Sequence, residues 1–150
     1  MSRACLILCT GLLLTGCHLP EREAALTPLP EGQPFAYGEL VSRARNQATT
    51  ALESFYVDAW TELETIATGL DQTARLLPKS NEIPATVKDR LGKDADQLRQ
   101  DAKKLGEAAR ARDSKAVNEI LQRINVRVRE LSVDQKLPSP KLPAPGDEGR

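Results

Sequence analysis

The sequence predicts an all-α protein: an antiparallel up-down helical bundle of three helices with a long first helix, flanked by disordered Pro-rich tails. Three observations predict it. Ala, Leu, Glu, Lys, Arg and Gln dominate a 150-residue chain with only 3% aromatic residues, a mix that favours helix over sheet. Apolar residues recur three and four apart over three long stretches, the period of one helix face. All but two of the ten prolines, Pro78 and Pro84, lie before Tyr37 or after Lys136, so the middle of the chain is nearly free of helix breakers.

The first element is an export signal. Met1-Ser2-Arg3 is a short basic start, and the apolar run that follows, 4–14, falls well short of the ~20 residues that span a bilayer. It reads as a signal peptide over 1–16. The run ends Leu14-Thr15-Gly16-Cys17, an aliphatic residue, two small residues and a cysteine, which resembles the lipobox of bacterial lipoproteins. The resemblance implies a diacylglyceryl thioether on Cys17, cleavage before it and acylation of the new amine. Two or three acyl chains hold a protein stably where one holds it marginally, at ~0.8 kcal/mol per buried CH₂. His18 stands where the inner-membrane retention signal of some bacteria has Asp, so the resemblance favours the outer membrane within a bacterial cell envelope. Cys5 and Cys9 leave with the signal, and no downstream cysteine remains to pair with Cys17.

A Pro-interrupted polar stretch over 17–37 reads as a tether, with a reach of about 60 Å at ~3.1 Å per residue. The bundle is expected over 38–135. Its first helix covers 39–77, with Tyr56, Trp60, Leu63, Ile66, Leu70, Ala74 and Leu77 as its stripe, and Pro78 ends it. The second opens at Pro84, a favoured first helical position, and carries Val87, Leu91, Ala95, Leu98, Ala102, Leu105 and Ala109. Asp113 or Ser114 caps the third, whose stripe is Val117, Leu121, Ile124, Val128 and Leu131. The short links 79–83 and 111–113 make neighbours antiparallel. Residues 136–150, KLPSPKLPAPGDEGR, form the second Pro-rich tail.

The three lengths do not match. At 1.5 Å per residue the helices would measure about 58, 40 and 30 Å. Helix two therefore reaches only to about Ala51 on helix one, and 39–50 would project with Leu40, Val41, Ala44 and Ala48 uncovered. That stripe, with Gly92 and Gly106 two heptads apart on helix two, makes a homodimer one expected cover.

Candidate chemistry is sparse. Phe55, Tyr56 and Trp60 gather most of the aromatic content on one side of helix one, as core filling or as a stacking site for a small apolar ligand. The domain has no His, Cys or Met, which removes the usual soft metal ligands. Asp94, Asp96 and Asp101, like Asp58 and Glu62, lie on helix faces among lysines and arginines and read as solvated, since hard-cation sites need several converging oxygens. No Ser-His-Asp grouping or Gly-rich phosphate loop occurs. Acidic and basic residues balance at 21 each, so no net field draws nucleic acid. No cofactor and no catalytic or metal residue is expected, and the protein is not read as an enzyme.

Over 51–131 the layout is similar to the cytochrome c-prime and b-type four-helix cytochromes: a long helix with an aromatic cluster, a helix opening on Pro, and a last helix after an ARD turn. The last helix reads EILQRINVRVREL, with no haem ligand, so the resemblance implies a haem-free bundle of similar build. The expected role is a lipid-anchored exported scaffold or adaptor that contacts an envelope protein. The alternative is a bundle holding a small apolar molecule near Trp60. In the antiparallel arrangement Arg43, Arg45, Arg110, Arg112 and Lys115 collect at one end, the end from which the tether emerges, and would face anionic headgroups.

Overall fold

A computed structural model of the chain describes residues 23, 26–30 and 32–132. Those residues form four helices rather than three: α1 (Tyr37–Tyr56), α2 (Trp60–Leu76), α3 (Ala85–Arg110) and α4 (Ser114–Ser132), with a 3-10 turn at Leu77–Lys79. The long first helix expected from the sequence is broken at 57–59 and folded back on itself. Asp58 takes φ 55°, the Asp58 N–H bonds the Phe55 carbonyl at 3.2 Å, and the Ala59 N–H bonds the Ser54 carbonyl at 2.8 Å. This paired bonding around one left-handed residue is a Schellman ending.

The turn between α3 and α4 is built identically. Arg112 takes φ 52°, the Arg112 N–H reaches the Ala109 carbonyl and the Asp113 N–H the Ala108 carbonyl, both at 3.0 Å. Asp113 then caps α4, accepting the Ala116 N–H on Oδ1 at 3.0 Å. At the other link α3 starts one residue later than expected, with Pro84 as its N-cap.

Each helix packs on two neighbours, α1 on α2 and α4, and α3 on α2 and α4, closing a ring. The two three-residue turns share one pole. Tyr37, the 77–84 link and Ser132 share the other, where the Tyr37 hydroxyl donates to the Leu131 carbonyl at 2.8 Å. The projecting stripe thus does not project: Leu40, Val41 and Ala44 are 0% exposed and Ala48 1%. What dimerisation would have covered is covered within the chain. The expected stripes of α3 and α4 are all buried, and burying a Leu, Ile or Val contributes about 1.5–3 kcal/mol each. Neither glycine marks a close approach: a side chain at Gly92 would meet open space, and one at Gly106 only ordinary contact with Ala67 Cβ at 3.6 Å.

The tether is also not free where the structure describes it. Leu26, Leu29 and Phe35 pack half-buried against the core. The Leu29 N–H donates to Gln72 Oε1 at 3.1 Å and the Leu29 carbonyl accepts from Gln72 Nε2 at 3.0 Å, so one side-chain amide satisfies one backbone residue completely. Further on, the Asn81 N–H bonds the Phe35 carbonyl and the Tyr37 N–H the Asn81 carbonyl, both at 2.9 Å. These contacts strap the chain before α1 across α2 and the 77–84 link. The 136–150 tail lies outside the described residues.

Candidate interaction surface

The predicted aromatic cluster divides. Phe55 and Trp60, at the end of α1 and the start of α2, pack half-buried against the core, their rings edge-on with centroids 6.1 Å apart. Tyr56, expected to fill core, is 74% exposed, because the break at 57–59 leaves it on the outer side of α1. Val57 beside it is 67% exposed and Val126 on α4 is 55% exposed. Among the described residues these three are the large apolar side chains open to solvent, which is more informative than any single exposed residue elsewhere.

Tyr56 and Val126 face the same feature. Between α1 and α4 lies a groove of about 550 Å³, with Leu52 and Tyr56 from α1, and Asn118, Leu121, Gln122, Asn125, Val126 and Arg129 from α4. Leu121 belongs to the buried stripe and forms its floor. The Asn125 amide is spent on the Leu121 carbonyl at 3.0 Å. The sequence reading missed Val57 and Val126. For Val126 a signal existed: it lies off the stripe set by Ile124 and Val128, so an amphipathic helix must turn it outward.

The basic cluster expected at one end is split between the two poles. Arg43 and Arg45 lie on α1 nearer Tyr37, whereas Arg110, Arg112 and Lys115 flank the 111–113 turn at the opposite pole. The expectation placed helix one as a single rod, and its folding back moves the first pair a helix length away. Arg43 also serves another purpose: its Nη2 donates to the Thr27 carbonyl of the strap. Burial lowers its guanidinium pKa from the ordinary value, with Glu39 working against that shift. Arg110 reaches Glu64 Oε2 at 3.3 Å.

Of the acidic residues read as solvated, Asp101 is 4% exposed. Arg123 Nε meets its Oδ1 at 3.1 Å and Arg127 Nε its Oδ2 at 2.7 Å, while Arg127 Nη1 donates to Gln97 Oε1 at 2.5 Å. Asp94 and Asp96 pair along α3 with Arg90 and Arg99. Asp58 is exposed in its turn and Glu62 half-buried. Among the described residues, no three His, Cys, Asp or Glu side chains converge as a metal site, and no helix is long and apolar enough to cross a membrane. Cys17 lies outside the described residues. Comparison with protein-family models, with curated proteins and with solved structures finds no match to this chain.

Proposed function

We propose that this protein is a lipid-anchored helical adaptor of a bacterial cell envelope, held to the membrane through Cys17 and acting by protein contact. The observation that carries the reading is the short apolar run ending Leu14-Thr15-Gly16-Cys17, which replaces a membrane span by a covalent lipid. The strap supports it by setting the reach. Leu26 follows Cys17 by nine residue steps, so at ~3.3–3.6 Å per extended residue the bundle stands within about 30 Å of its lipid. The exposed Val57, at the pole remote from the strap, is the contact point for the partner.

Mass spectrometry of the mature protein should show an acylated N-terminus at Cys17 in the outer-membrane fraction, and Cys17→Ser should release the chain from membranes. A photo-crosslinking residue at Val57 should capture one envelope protein in cells, and Cys17→Ser should remove that product. A soluble mature form cleaved elsewhere would overturn the anchor, and a Val57 position that captures nothing would overturn the adaptor role.

A further inference from the structure

The groove between α1 and α4 has an apolar floor and rim but, among the described residues, nothing lying in it. Its polar edge is equally open: the side-chain amides of Asn118 and Gln122 make no hydrogen bond among the described residues. Amides beside an exposed tyrosine suit an extended chain with free carbonyls, above all a polyproline II segment, whose backbone bonds nothing internally.

We propose that the chain's own residues 137–143, LPSPKLP, occupy this groove as a polyproline II strand running antiparallel to α4. Two independent properties fit. The first is reach. Along α4 the groove extends from Arg129 to Asn118, eleven residues or about 16 Å at 1.5 Å each, and seven polyproline II residues at ~3.1 Å cover about 20 Å. α4 ends at Ser132, one turn below Arg129, which leaves residues 133–136 for the reversal.

The second is pattern. A period of three puts Leu137, Pro140 and Pro143 on one face, an apolar stripe for Tyr56 and Val126, and turns Lys141 to another face. The occupancy is intramolecular, so its effective concentration is high and no partner is required. It stands whether or not the adaptor reading holds.

The test replaces Tyr56, and separately Val126, by p-benzoylphenylalanine in the full chain, with Gly92→p-benzoylphenylalanine on α3 as the control. After irradiation, peptide mass spectrometry should find both groove positions joined to residues 137–143 at monomer mass. The pair Pro140→Gly and Pro143→Gly should cut that yield about fivefold or more, and the Gly92 position should capture little of the tail. Equal capture from Gly92 would mean random sampling and overturn the proposal. So would capture of a second copy or another protein from the groove, or no capture at all.

Discussion

Asp58 and Arg112 hold the same left-handed backbone, at φ 55° and 52°, in a position that helices usually give to glycine. Asp tolerates it better than most residues because its short polar side chain can bond locally, whereas Arg has no such compensation. Arg112→Gly is therefore expected to raise stability by about 1 kcal/mol, or ~4–8 °C in melting midpoint for a domain of this size. Asp58→Gly should gain less. Thermal unfolding followed by circular dichroism checks the order, and a lower midpoint for Arg112→Gly would contradict the strain. The same residues explain what could be read in the sequence. The 111–113 turn is legible because the stripe lapses between Ala109 and Val117. The 57–59 turn is not, because Tyr56 and Trp60 keep a four-residue spacing straight across it, and Asp58 carries none of the warning a glycine would.

Each seam between neighbouring helices carries at least one polar tie beside the apolar packing. Thr73 Oγ1 lies 2.9 Å from Gln47 Oε1 between α1 and α2. Arg99 Nε lies 3.5 Å from Asp71 Oδ1 between α2 and α3, Asp101 holds Arg123 and Arg127 between α3 and α4, and the Tyr37 hydroxyl joins α1 to α4. Apolar stripes alone allow helices to slide or exchange places, and ties of this kind select one neighbour and one register. Removing the carboxylate in Asp101→Ala leaves two guanidiniums beside a hole. Their side chains are 44% and 25% exposed, so water recovers part of the loss and the expected cost is about 1–3 kcal/mol. Urea unfolding should show a lower midpoint with an unchanged slope; a midpoint equal to that of the wild type would remove Asp101 from the account. Here too the sequence held a signal. Asp101 falls three residues after Leu98 and four before Leu105, and Asp71 four after Ala67 and three before Ala74. Acids in stripe register are turned inward, while Asp96, off that register, stays exposed. Which helices become neighbours was not legible, since a stripe fixes a face and not its partner.

Taken whole, the bundle begins and ends at one pole, with Tyr37 and Leu131 in direct contact and both three-residue turns at the other. The fold class and most of the core were readable from periodicity. The surface was less so, because exposure of Tyr56 follows from the break in helix one, and the grouping of Arg43 with Arg110 depended on that helix being straight. The shared pole has a mechanical consequence. A load entering through the strap and leaving through the end of α4 parts the α1–α4 seam one contact after another, as an opening zipper, instead of sliding whole helices past one another in shear. Single-molecule pulling with handles at Ala36 and Ser132 should unfold the bundle at clearly lower force than handles at Val57 and Ser132, which stretch it from pole to pole and must shear α4 against its neighbours. Equal forces in the two geometries would show that the seam does not open sequentially. A protein with this layout yields readily to a tug between its two flanking segments and resists one applied across its length.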